Sequence, residues 1–193
     1  MARKKGLSFS RKKRKKISAT LIKEILAWIF NLMIAIGLGI LIVNFFGMQV
    51  RMIGTSMEPT IANSEKVLVN KVVYLFSNPE KGDTIVFLPN GNMYSHYYVK
   101  RIVATPGDTV QIIEGRLYVN GEMEEAAYDK MEDAGIAENL IRIGEGEYFV
   151  LGDARNSGED SRSGNIGLIE EELIEGKVWI HLGSEYNNVG LME

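Results

Sequence analysis

From Ile25 to Phe46 the chain runs for 22 residues without a charge, and only Asn31 and Asn44 among them carry polar side chains. A helix of that length rises about 33 Å, enough to cross the hydrocarbon core of a bilayer. A helix packed on a water-soluble core keeps a polar stripe for solvent, and this run has none, so residues 25–46 are predicted to be a transmembrane helix. The charges around it are lopsided. Ten of the 22 Lys and Arg, but only one of the 25 Asp and Glu, lie in residues 1–24, which leaves a net charge of −12 for residues 25–193. Clustered cations attract nucleic-acid phosphates, but beside a membrane span they act as a topogenic signal that stays in the cytoplasm. The expected organisation is therefore a disordered basic cytoplasmic tail (1–24), a transmembrane helix (25–46) and an extracytoplasmic domain (47–193), with a lipid bilayer and no nucleic acid as partner. The run is longer than the core of a cleavable signal sequence. No small-x-small site follows it in Phe45-Phe46-Gly47-Met48-Gln49-Val50, so it reads as an uncleaved anchor.

Beyond residue 47 the pattern changes to short apolar segments cut by Gly, Pro and Asn. Strands are predicted over 49–53, 65–71, 84–88, 93–104, 110–113, 117–119, 148–151 and 177–181. Val67 and Val69 share one face, and Asn120-Gly121 marks a hairpin. The apolar run Val72-Val73-Tyr74-Leu75-Phe76 reads as core, the alternative being a surface patch against the bilayer. Residues 124–131 and 169–175 carry weaker helical patterns. Many short strands with frequent glycine turns argue for a mostly β domain of coiled antiparallel sheets. The chain has no cysteine, which removes disulfides and thiolate metal sites.

Two residues stand out chemically. Ser56 sits in the tight turn Gly54-Thr55-Ser56-Met57-Glu58-Pro59-Thr60, and a serine hydroxyl becomes a nucleophile only when a base takes its proton. Most serines beside Gly or Pro simply make turns, so a base is the second requirement. Lys100 lies in the otherwise apolar segment Tyr98-Val99-Lys100-Arg101-Ile102-Val103. Strand alternation puts Tyr98 and Lys100 on one face and Val99 and Arg101 on the other. An inward ammonium is destabilised by loss of water and its pKa falls toward use as a base. His96 would share the Lys100 face as a neighbour or core residue, and His181 has no evident partner in the sequence. Asp153-x-Arg155-x-Ser157-Gly158 is a broken calcium loop, with Arg at its third position and Gly164 at its twelfth. Neither a metal nor a cofactor is implied.

The order Ser-Met-x-Pro-Thr (56–60), Gly-Asp-x-x-Val-Phe (82–87), Tyr-Val-Lys-Arg-Ile-Val-x-x-Pro-Gly-Asp (98–108) and Gly-Asp-x-Arg-Asn-x-x-x-Asp-Ser-Arg (152–162) resembles the bacterial type I signal peptidases with a single N-terminal anchor. That resemblance covers the anchor and nearly all of the remaining chain. It implies a membrane-bound Ser–Lys endopeptidase that removes signal peptides from exported preproteins after small-x-small sequences, with the secretion machinery as a further partner. Ser56 matches the nucleophile and Lys100 the general base. Met52, Ile53, Tyr98 and Val99 match positions lining the pockets for the small substrate side chains. Asp160 and Arg162 match a structural pair supporting the catalytic strand, while Asp153 and Arg155 fit loop ordering better than catalysis.

Two departures bear on the site. Gly54 stands where some members carry a hydroxyl residue that helps the oxyanion hole. Gly158 stands where members commonly have a serine supporting the lysine, leaving Ser157 or Ser161 as substitutes. Two other readings compete. A catalytically silent anchored peptide-binding protein would keep the fold without the chemistry. A self-cleaving Ser–Lys repressor would need an N-terminal DNA-binding motif where this chain has its apolar span.

Overall fold

The structure, a computed structural model, describes residues 19–91, 96–124, 130–156, 159–183 and 188–192. It separates into two units, Met1–Val43 and Asn44–Glu193. Helix α1 runs over Ala19–Phe46, starting ahead of the uncharged run, taking in Lys23 and Glu24, and ending just inside the second unit. Thr20–Val43 is long and apolar enough to cross a membrane. Most of the basic tail lies outside the described residues.

The second unit is built from strands β1 (Gly47–Arg51), β2 (Lys66–Asn70), β3 (Thr84–Phe87), β4 (Tyr98–Ala104), β5 (Thr109–Ile113), β6 (Arg116–Val119), β7 (Glu122–Met123), β8 (Ile141–Arg142), β9 (Glu147–Leu151), β10 (Ile169–Glu170), β11 (Ile174–His181) and β12 (Gly190–Leu191). They form two sheets. One has the order β1-β2-β11-β3-β4-β9-β10 with β12 beside β11; the other has the order β7-β6-β5-β8. Every pairing is antiparallel. The fold is therefore the mostly β arrangement the sequence predicts, behind one N-terminal apolar helix.

Alternation places the cores. Val67 and Val69 of β2 are both fully buried and pack with Val50, Val86, Val99 and Val178. Met57 and Ile61, from the turn region around Ser56, join the same cluster. The β4 neighbours Tyr98 and Ile102 belong instead with Ile85, Phe87 and Val150. Burying each such side chain contributes about 1.5–3 kcal/mol before entropy is counted. The predicted Asn120-Gly121 hairpin is present. Both residues have positive φ (55° and 80°), as a two-residue turn between twisted strands requires, and β6 pairs with β7.

Three expectations need correction. The run 72–76 is not core. Val73–Leu75 forms a 3-10 turn whose start is held by the Asn70 Oδ1 that accepts from the Val72 N–H. Tyr74 donates its hydroxyl to Asp83 at 2.9 Å, while Leu75 and Phe76 are 76% and 87% exposed. A single turn can bury only one side of an apolar run, and this one turns Tyr74 toward the protein.

Of the segment 124–131, the described residues 124, 130 and 131 belong to no helix or strand. Met131 packs into the core of the four-stranded sheet, its N–H donating to the Gly115 carbonyl at 2.9 Å; residues 125–129 lie outside the described residues. The segment 169–175 is β10, a 3-10 turn over Glu171–Leu173, and the start of β11. The strand predicted over 93–104 is observed from Tyr98, and residues 92–95 lie outside the described set.

Candidate active site

β4 runs between β3 and β9, with Lys100 opposite Ile85 and Arg101 opposite both Thr84 and Leu151. Being central rather than an edge, it offers Lys100 little water, and the residue is 2% exposed. Burial lowers the Lys100 ammonium from its ordinary value to about 8. The Asp160 carboxylate works against that shift, Arg162 works with it, and Glu159 and Asp153 oppose it more weakly. Lys100 makes no ion pair among the described residues; its Nζ stands 6.0 Å from the centre of the Tyr98 ring.

Ser56, 6% exposed, is set by its backbone. The Ser56 carbonyl accepts from the Ala154 N–H at 3.1 Å. A side chain on Gly152 would put its Cβ 2.4 Å from that carbonyl oxygen, so only glycine lets the two loops approach this closely. The loop carrying Ser56 is closed on itself. Met52 N–H donates to the Glu65 carbonyl at 2.8 Å and Ser64 N–H to the Met52 carbonyl at 3.0 Å. Glu65, 1% exposed, then fastens the loop outward. Its carboxylate accepts from the Ala62 and Gly183 N–H groups and meets His181 Nδ1 at 2.7 Å. His181 thus has the partner its sequence position does not reveal.

Asp153 joins three segments. It receives two hydrogen bonds from Arg101, at 2.9 and 2.8 Å, and one from the Thr60 hydroxyl at 2.5 Å. Arg101 also donates to the Gly82 carbonyl at 2.8 Å. The strand bearing Lys100, the loop bearing Ser56 and the block 152–162 are therefore locked through one buried carboxylate, which gives the loop-ordering role expected of Asp153 a geometry. Asp160 accepts from Arg162 Nε and a terminal guanidinium nitrogen at 2.9 and 2.8 Å, and Arg162 reaches on to the Asp133 and Arg155 carbonyls. The Ser161 Oγ accepts from the Val150 N–H at 2.9 Å. Ser157 lies outside the described residues.

Ser56 and Lys100 open onto one cleft of about 360 Å³. The same cleft is lined by Met52, Ile53, Tyr98 and Val99, so all four residues expected at the substrate pockets meet there. Met52 and Val99 are buried at 3% and 2% exposed and form a floor, whereas Ile53, 62% exposed, is a rim. Asp160, Ser161 and Arg162 do not line the cleft. Gly54 lies on its wall with φ +90° and open space where a side chain would go. A hydroxyl residue would fit there sterically but not conformationally. His96 is an exposed wall residue, not core. Nothing in the sequence marks out Glu159 beyond its place beside Asp160, yet it too lines the cleft.

Ser56 and Lys100, both buried, thus share one cleft, and the lysine has a lowered pKa and no ion pair among the described residues. The family model described as signal peptidase, peptidase S26, matches residues 25–182. The chain belongs to the signal peptidase family.

Among signal peptidases it is 38% identical to signal peptidase I P of Bacillus subtilis subsp. natto, over 79% of this chain and 86% of that protein. It is 35% identical to signal peptidase IB of Staphylococcus aureus (strain COL), over 81% and 88%. A crystal structure of a signal peptidase I from Enterococcus faecalis V583 aligns at 29% identity with a TM-score of 0.42, covering 52% of this chain and 97% of that one.

Proposed function

We propose that this signal peptidase frees exported preproteins from their signal peptides with Ser56 as nucleophile and Lys100 as general base. The observation carrying this reading is the placement of a nearly water-free Lys100, its pKa lowered to about 8, on the same cleft as Ser56. Neutral Nζ takes the proton from Ser56 Oγ, and Oγ bonds to the carbonyl carbon of the last residue of the small-x-small sequence. The resulting ammonium protonates the departing amine as the C–N bond breaks. A water then attacks the acyl-serine, giving a proton to Nζ, and the ammonium returns that proton to Oγ as the ester bond breaks, releasing the signal peptide and regenerating both the serine and the neutral lysine. The shallow apolar pockets formed with Met52, Ile53, Tyr98 and Val99 admit small side chains and exclude larger ones by overlap. Asp160 and Arg162 hold the loop behind Lys100.

The helix Ala19–Phe46 anchors the protein in a lipid bilayer. The basic residues before it keep the N-terminus cytoplasmic and the catalytic domain on the outer face, where preproteins leave the secretion machinery. The test is cleavage of a preprotein carrying an Ala-x-Ala site by the detergent-solubilised protein, beside a Ser56→Ala control. Cleavage after the second Ala that vanishes in the control supports the assignment. A folded protein that binds the preprotein without cutting it is a silent binding protein instead.

A further inference from the structure

The cleft holds one acid that the proposed chemistry does not use. Glu159 is the only carboxylate among the described residues lining it, and its Oε2 accepts from the Tyr98 hydroxyl at 3.3 Å. Its other neighbours there are apolar, hydroxyl or titratable as bases, and Lys100 is neutral when it works as a base. The cleft in its reactive state therefore presents a single negative charge. Glu159 also lines an adjoining hollow of about 320 Å³ with Glu132 and Asp133, so carboxylates continue outward from the rim. Asp160 in the same hollow is neutralised by Arg162. Glu159 is exposed, and its one hydrogen bond among the described residues is long, so little in the fold calls for a carboxylate there.

We propose that Glu159 is a specificity-determining residue that makes the cleft favour preproteins with a lysine or arginine beside the small residues they are cut after. This rests on the assignment of the cleft as the peptidase site. In an extended substrate successive side chains alternate. If the two small ones enter the apolar pockets, the residue between them, x, points out of the pockets and is free to meet the rim. The first two residues after the cut are the other places from which a long basic side chain reaches it. The attraction is that of an exposed charge pair, worth about two- to five-fold in selectivity and weakened by salt.

The test compares kcat/KM for matched preproteins carrying Lys or Gln at x, and then at each of the first two positions after the cut. The proteins are the solubilised parent, Glu159→Gln and Glu159→Lys, with Ser56→Ala as the control. At one of these positions the parent should favour Lys about two- to five-fold, chiefly through KM. Glu159→Gln should bring the ratio to about one, and Glu159→Lys should invert it. Because the Glu159 charge helps hold the Lys100 proton, the rising limb of the pH profile should also move to lower pH in Glu159→Gln, which a merely steric role would not produce. Ser56-dependent cleavage with the same Lys-to-Gln ratio in all three proteins at every position overturns this proposal and leaves the peptidase assignment standing. Absence of Ser56-dependent cleavage in the parent overturns both.

Discussion

The four-stranded sheet and the eight-stranded sheet bury different kinds of residue. The first packs Val110, Ile112, Leu117 and Val119 with Met131, Ala137 and Ile143 against Val103, Ala104, Phe149 and Leu151 of β4 and β9, a core apolar throughout. The buried polar and charged side chains among the described residues all lie elsewhere: Ser56 and Glu65 in the loop before β2, Asp83 and Thr84 at β3, Lys100 on β4, and Asp153, Arg155, Asp160, Ser161 and Arg162 after β9. A buried charge costs several kcal/mol unless it is paired. Most here are paired: Arg101 with Asp153, Arg162 with Asp160, Lys177 with Asp83, and His181 with Glu65. Lys100 is not. The core of the small sheet is apolar, whereas the large one gives stability up at the position where the proposed mechanism calls for a neutral amine.

The largest effect separating the two should come from Lys100. Lys100→Arg should lose about 10²- to 10⁴-fold in cleavage rate, because a guanidinium stays protonated and cannot serve as base. Lys100→Met should lose as much and gain stability. In the folded parent the amine releases its proton near pH 8, and in the unfolded chain near 10.5. Between those values the unfolded state binds more protons, so parent stability rises with pH, and below about 8 the whole penalty is present. It amounts to about 3 kcal/mol. Urea unfolding at pH 7 and pH 10 should show the parent gaining stability relative to Lys100→Met, a difference in which the tyrosines whose pKa folding raises cancel. Parent activity should climb through the same range, and a rate flat with pH would exclude Lys100 as the base of the limiting step.

Asp153→Asn comes next. It leaves Arg101 short of its counter-charge and loosens Thr60, at a cost of about 3–5 kcal/mol in urea unfolding, with activity falling alongside. In the other sheet, Leu117→Ala should cost about 2–5 kcal/mol through the cavity it leaves. Its pH–rate profile should coincide with the parent's, since the change touches no ionisable group; a displaced limb would mean that the core shared with β4 and β9 reaches the surroundings of Lys100. The smallest change is Thr60→Val. Losing one hydrogen bond to Asp153 costs about 1 kcal/mol, detectable as a lower midpoint in the same unfolding measurement.

The sequence was most legible where one physical rule acted alone. An uncharged stretch without a polar stripe reads as a span, and Val67 and Val69 alternate because one face of β2 is buried. Asn120-Gly121 turns because few residues accept positive φ twice in succession. The cleft was legible in composition, since Ser56, Lys100 and the four expected pocket residues do line one cavity. Its fastening was not. Thr60 and Arg101 are 93 and 52 residues from Asp153, and no local pattern links side chains so far apart. Glu159 hid for the opposite reason: an exposed acid in an acidic chain carries no signal until its neighbours are known. The run 72–76 misled because apolar content measures the tendency to be buried, whereas a one-turn helix has only one inner side, here taken by Tyr74.

That turn has a practical corollary for anyone handling the catalytic part in isolation. Deleting the long apolar helix would be the obvious route to a well-behaved aqueous sample. Leu75 and Phe76 would stay behind, side by side and almost wholly uncovered, as a sticky spot that truncation of the N-terminus leaves untouched. Solubility at high concentration would then still be limited by this pair, and polar replacements at 75 and 76 are the economical remedy, being remote in sequence from both Ser56 and Lys100.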